Sequence, residues 1–348
     1  MAIFQQPSEF TFFHDCPVPS YAGQVKLSRF CADYFVTMKR LRIVVSLITQ
    51  DNDYQLEQAA SAQEAASRCG VEVEIIYAEG DSIQQSQQIL KFVQANRESR
   101  PDGIIVEPVG GTGLPQVARA AVADGIGWVL LNLKVDYIKE LRQSFTVPVF
   151  AVAADNLEVG RIQGRQMAAL LPKGGTVLYI QGPWGAAAAR LRTEGLEETR
   201  PPEIQIKAMK GAWTESSAFD VVTNWLRLST SQQAAVGLIV AQNDAMAMGA
   251  KKALQQFVDY HSEKDRWLGI PLLGCDGLPK TGQDWVRSGI LTATIIIPAI
   301  AGQGMDMLVH ALRDQAPPQD LTMVAAHSFP DLESLTGRFV QAARIGGL

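Results

Sequence analysis

From residue 41 onward the chain alternates between two hydrophobic patterns. Short runs of apolar, largely β-branched residues occupy positions 41–48, 71–77, 103–106, 128–131, 147–152, 176–180, 236–241, 271–274 and 291–297, with a weaker one at 204–209. Continuous runs of this length are expected of strands buried on both faces. Between them lie stretches with apolar residues at helical spacing, among them 54–69, 82–96, 115–124, 157–171, 216–228 and 244–258. Asp81-Ser82 and Asn243-Asp244 offer side-chain oxygens where helices should begin, and Gly70 and Gly125 stand where helices should end.

Strand and helix alternating in this way predict an α/β fold of doubly wound parallel sheets with right-handed crossovers. About ten strands would make a large single open sheet, so two sheets of about five are expected. Ligands of such sheets sit beyond the carboxyl ends of the strands. The polar residues there are therefore the candidates for function. Ser46 and Gln50-Asp51-Asn52-Asp53-Tyr54 end the first strand, Asn132 ends the fourth, and Asp155-Asn156 follow the fifth. Arg192 is placed at the opening of the helix after the sixth, Trp213 follows the weak strand, and Gln242-Asn243-Asp244 and Asp276-Gly277 end the next two. One arginine with several carboxylates, amides and flat aromatics suits a polyhydroxylated ring. Charged hydrogen bonds to hydroxyls contribute about 1.5–3 kcal/mol each, and aromatics cover the C–H faces. Asn243 and Asp155 also read simply as helix N-caps.

Composition narrows the function classes. The 348 residues carry a net charge of −5, with no basic field to hold nucleic acid or anionic lipid. No apolar run approaches the ~18 residues of a membrane span, so membrane insertion is not expected. The sequence has no phosphate-binding P-loop, no G-x-S-x-G, no H-E-x-x-H and no complete G-x-G-x-x-G after a strand. Gly110-Gly111-Thr112-Gly113 reads as an ordinary strand-to-helix turn, and His14, His261, His310 and His327 lack metal-ligand spacing. A catalytic site, a cofactor and a metal are accordingly not expected. Cys16, Cys31, Cys69 and Cys275 are scattered and read as free thiols. Residues 1–40 read as an N-terminal extension without the basic start and apolar core of a signal peptide, and Met38-Lys39-Arg40 offers an alternative start.

Between positions 41 and 339 the chain resembles the type 1 periplasmic sugar-binding proteins, the ribose-binding protein group, which share their fold with the ligand-binding core of lactose-repressor-type regulators. The resemblance rests on IVAQNDAMAMGAKKAL (239–254), LLGCDGLP (272–279), GILTATI (289–295), AADN followed by GRIQG (153–164) and QGPWGAAAARLRTEGL (181–196). It implies that Arg192, Asn243 and Asp276 contact ring hydroxyls and that Trp213, in GAWTES, stacks on the ring. It also implies a polar contact at Ser46 and an aromatic role for Tyr54, beside Asp53, Asn132 and Asp155 as further strand-end contacts. Two departures stand out. Asn132-Leu133 replaces the Asp-Arg pair of many members, which removes a second arginine, and Ile297 or its neighbours replace a late glutamine. Trp184 in the glycine loop is a candidate for compensating stacking or for a plain surface or packing role.

The resemblance further implies two lobes joined by a three-crossover hinge, residues 41–154 with 298–324 and residues 155–297 with 325–339, followed by a tail at 340–348. The function it implies is that of a monomeric solute-binding protein, closing on a monosaccharide or related polar ligand for an ABC permease in the periplasm. The other reading is a cytoplasmic or receptor-coupled sugar sensor or regulator core. Residues 1–40 show no basic helix-turn-helix pattern, so nucleic acid is not an expected partner.

Overall fold

The apolar runs form strands β1 (Arg42–Leu47), β2 (Glu72–Tyr77), β3 (Gly103–Val106), β4 (Gly127–Leu131), β5 (Val149–Ala154), β6 (Gly175–Gln181), β7 (Ile204–Lys210), β8 (Val236–Ala241), β9 (Leu272–Leu273) and β10 (Thr294–Ile296). Two further strands, β11 (Leu321–Val324) and β12 (His327–Phe329), follow. The helices are α1 (Asp53–Cys69), α2 (Ser82–Val93), α3 (Pro115–Ala123), α4 (Tyr137–Ser144), α5 (Asn156–Leu170), α6 (Ala187–Thr199), α7 (Glu215–Leu226), α8 (Ser229–Gln232), α9 (Asp244–Val258), α10 (Lys264–Leu268), α11 (Gly282–Arg287) and α12 (Ala301–Asp314). This computed structural model describes residues 40–336, apart from 112, 233, 260–263, 315 and 317. The extension at 1–39 with His14, Cys16 and Cys31, the residue His261 and the tail at 340–348 lie outside the described residues.

The strands build a six-stranded sheet in the order β11-β5-β4-β3-β1-β2 and a four-stranded sheet in the order β7-β6-β8-β9, all parallel, with β10 and β12 paired antiparallel. Burial on both faces explains the continuous apolar runs. In the first sheet Ile43, Val45, Leu47, Val129 and Leu131 pack beside α1 and α12 residues such as Ala62 and Met305. The alternate positions Val44, Ile104, Val106, Trp128 and Leu130 pack on the other side with residues of α2, α3 and α4 such as Ile89, Ala118 and Ile138. The second sheet repeats the arrangement. Leu178, Ile180 and Ile239 join the α7 and α9 core, while Val177, Tyr179 and Val240 join Met167 of α5 and Leu196 of α6. Each such buried branched side chain contributes about 1.5–3 kcal/mol.

The chain passes between the sheets three times, after β5, after β10 and after β11. Two details differ from the sequence-based expectation. The sheets hold six and four strands rather than about five each, because β11 joins the first one at its edge. The strands β11 and β12 carry few fully buried positions, so LTMV and HSF lack the apolar signature. Cys69 and Cys275 are free thiols, and no helix among the described residues is long and apolar enough to cross a membrane.

Candidate functional site

Four of the sequence-predicted residues meet at the carboxyl end of the second sheet. Arg192 lies in the second turn of α6, not at its opening. The helix begins earlier, at Ala187, because the alanine run before Arg192 has the highest helix propensity of any residue type. Its guanidinium is buried. Nε donates to Asn156 Oδ1 at 2.9 Å, one Nη donates to the Gln242 carbonyl oxygen, and Asp276 Oδ1 lies 3.9 Å away. The Trp213 ring centroid is 5.5 Å from the guanidinium carbon, within cation–π reach.

Neighbouring groups fix each of these side chains. Gln242 is fully buried. It accepts from Gly182 N at 2.7 Å and donates to the Ala189 carbonyl at 2.9 Å, which ties the glycine loop and α6 to β8. The Trp213 indole covers Gly182 so closely that a Cβ there would sit 2.2 Å from the ring. The Trp213 carbonyl accepts from Asn243 Nδ2 at 2.9 Å, and also from Asn52 Nδ2, at the start of α1, at 3.2 Å. Asn243 caps α9 through Met246 N at 2.9 Å, so capping and site placement are one geometry rather than alternatives.

Facing this group are residues of the first sheet. Asn132, half-buried after β4, donates to Glu107 Oε1 at 2.9 Å. Tyr54 is half-buried, its hydroxyl 3.4 Å from the Pro298 carbonyl, and packs on the cluster of Ala154, Cys275, Ile295 and Ile297 at the chain crossings. Glu107, Asp276 and Arg192 all act electrostatically on its phenol, and burial pushes its pKa up. A narrow recess, with room for little more than a water molecule, is lined by Asn52, Asp53, Tyr54, Asp244, Asp276 and Trp285 among others. Another depression, of about 70 Å³, is lined by Arg42, Glu72 and Pro101 among others and shares no residue with this region.

Of the other residues singled out from the sequence, Asp53 lines the recess and Ser46, Asp155 and Trp184 do not. Ser46 is enclosed, its hydroxyl accepting from Gln85 Nε2 at 3.1 Å. Asp155 is half-buried and caps α5 through Glu158 N at 3.0 Å. Asp53 is exposed at the rim of the recess. Trp184 is 81% exposed, with Lys210 Nζ 4.4 Å from its ring centroid.

Backbone strain marks the same place. Of five described non-glycine residues with positive φ, three are Asn132 (56°), Trp213 (65°) and Asp276 (110°). Such conformations cost about 1–3 kcal/mol each and gather at ligand clamps. Burial raises Asp276 well above the usual carboxylate range, with the Arg192 charge opposing it, and burial likewise raises Glu107 against the bonds from Asn132, Gln55 and Gln58. Perturbed carboxylates concentrated in a cleft mark a functional site. Sequence reasoning missed Glu107 as part of this network, whereas Asn156 and Gln242 stood among the polar strand-end residues it singled out. Glu107 had a positional signal, standing directly after β3.

Comparison with known proteins agrees with the fold and the motifs. A family model described as "Periplasmic binding protein domain" matches residues 43–316. The ribose import binding protein RbsB of Bacillus subtilis is 25% identical over 283 residues, covering 80% of this chain and 84% of that protein. A putative rhizopine-binding protein of Rhizobium meliloti is 30% identical over 194 residues, which span 53% of this chain and only 58% of that protein's length. Among solved structures, an ABC transporter periplasmic solute binding protein from Actinobacillus succinogenes with bound D-allose superimposes with a TM-score of 0.71 at 22% identity, covering 86% of this chain and 100% of that one. The chain belongs to the periplasmic binding protein domain family.

Proposed function

We propose that the protein binds a monosaccharide or cyclic polyol between two lobes and delivers it to an ABC permease in the periplasm, acting by binding rather than by catalysis. The lobes comprise residues 41–154 with 298–324 and residues 155–297 with 325–339, and the three chain passages between the sheets act as the hinge. The observation that carries the reading is the buried Arg192, oriented by Asn156, the Gln242 carbonyl and Asp276. A guanidinium has five N–H donors, and these partners leave donors over for ring hydroxyls. Trp213 offers an aromatic face beside it, and two of the relatives named above carry a sugar in their name or structure, ribose and D-allose. A ligand that touches both lobes stabilises the closed state by its differential affinity.

A thermal-shift screen of monosaccharides and polyols identifies the ligand, and calorimetry then compares variants. Arg192→Ala and Asp276→Ala should each weaken binding at least tenfold, since truncating one partner of a buried charge pair costs about 2–5 kcal/mol. Circular dichroism checks that the variants remain folded. Wild-type affinity in both folded variants places the site elsewhere. Fractionation of the native host tests the location, and recovery wholly in the cytoplasm would turn the reading to a sensor.

A further inference from the structure

One charge in the site lacks a counterpart. Glu107 is 6% exposed and accepts from Gln55 Nε2 at 2.9 Å, Gln58 Nε2 at 3.5 Å and Asn132 Nδ2 at 2.9 Å. None of these amides is free to turn over. Gln55 Oε1 accepts from Ile48 N at 2.9 Å, Gln58 Oε1 from Ala301 N at 2.8 Å, and Asn132 Oδ1 from Ala154 N at 3.3 Å. Three donors are thus fixed on one carboxylate, an arrangement suited to the anion, which is an acceptor only. Among the described residues no basic side chain pairs with Glu107, and the one buried cation nearby, Arg192, is engaged with Asp276. Asp244 adds a further buried carboxylate, satisfied by the Thr294 hydroxyl at 2.7 Å and Gly277 N at 2.8 Å. Buried carboxylates therefore outnumber buried guanidinium groups, and a desolvated anion without a cation is costly.

We propose that the ligand supplies this cation, being an amino sugar or aminocyclitol whose protonated amine lies against Glu107 while its hydroxyls meet Arg192 and Asp276. The inference rests on the sugar-binding reading and narrows it to a charged substrate class. A neutral sugar would leave the Glu107 charge uncompensated when the lobes close over it, whereas an ammonium group donates to it and removes the imbalance. The upward push that burial exerts on Glu107 is the same imbalance seen in the protein alone.

The test is calorimetry on the full chain with matched pairs: D-glucosamine against D-glucose, D-galactosamine against D-galactose, and an aminodeoxyinositol against myo-inositol. N-acetylated hexosamines serve as neutral controls. At least one amine should bind tenfold or more tighter than its hydroxyl counterpart, and acetylation should abolish that advantage. Glu107→Gln, or Glu107→Asp where the glutamine variant does not fold, should reduce the ratio of amine affinity to neutral-sugar affinity at least tenfold, whatever loss the two ligands share. Equal or tighter binding of the neutral sugar overturns the inference and leaves the sugar-binding reading standing. Binding of no probe of either kind removes both.

Discussion

Asp244 shows how a single buried carboxylate sets the acid–base character of the fold. It opens α9, its backbone N donates to the Cys275 carbonyl at 2.6 Å, and its oxygens take the Thr294 hydroxyl and Gly277 N. Burial pushes its pKa from the ordinary 3.8 up to about 7. Below the unfolded value both states carry the proton, and the group is neutral in its effect. As pH rises from about 4 to 7 the unfolded chain ionises first, so stability falls over that window and levels off above it. Burial pushes Glu107 and Asp276 in the same direction. The ligand-free protein should therefore melt a few degrees lower at pH 8 than at pH 5.5, measured by calorimetry or fluorescence. Asp244→Asn, which removes the titrating group, should flatten the pH slope. A melting temperature that rises with pH across this range counts against a raised Asp244. At this scale the sequence made Arg192, Trp213, Asn243 and Asp276 readable, because strand ends and motif spacing point to them. Glu107 was hidden because a glutamate before a proline after a strand looks like a solvated loop, and its significance depends on amides contributed by α1 and by the end of β4.

The same residues depend on how closely their helices approach. Helices α5 and α6 meet through glycines. A Cβ on Gly195 would lie 1.9 Å from the Leu157 carbonyl oxygen, and one on Gly160 would lie 2.1 Å from the Arg192 carbonyl oxygen. This contact sets the 2.9 Å bond from Arg192 on α6 to Asn156 on α5. Gly195→Ala should force the helices apart, destabilise the protein by about 1–3 kcal/mol as overpacking does, and weaken ligand binding through Arg192. Denaturant titration and calorimetry read the two effects. Wild-type stability with wild-type affinity would remove the glycine contact from the account. Periodicity alone located most elements, and β3, β8 and α9 have the limits read from the sequence. It missed β11 and β12, whose half-exposed residues carry no alternation strong enough to separate a strand from a loop. Helix α6 began earlier than expected because the alanines that precede Arg192 are helix formers rather than loop residues.

For the molecule as a whole, apolar patterning foretold two sheets but not their unequal division. The three passages between sheets came from family resemblance, since no local pattern tells a chain to leave one sheet for another. What holds the two halves in their present relation is readable only in the structure. Asn52 Oδ1 accepts from Tyr54 N at 2.9 Å as the cap of α1, while its Nδ2 donates to the Trp213 carbonyl, in the second-sheet half, at 3.2 Å. One side chain thus starts a helix in one half and latches the other. Asn52→Asp separates the two roles, because a carboxylate still caps α1 but has no donor for the Trp213 carbonyl and repels it. A lost hydrogen bond contributes about 0.5–1.5 kcal/mol, enough to move a two-state equilibrium several-fold toward the open form. The variant should show a larger radius of gyration without ligand in small-angle scattering, a melting temperature close to wild type, and an affinity weaker by about twofold to tenfold. Ligand should still draw it closed and change tryptophan emission, since Trp213 remains in place. An unchanged radius of gyration together with unchanged affinity would show that Asn52 only caps its helix and that closure is governed elsewhere.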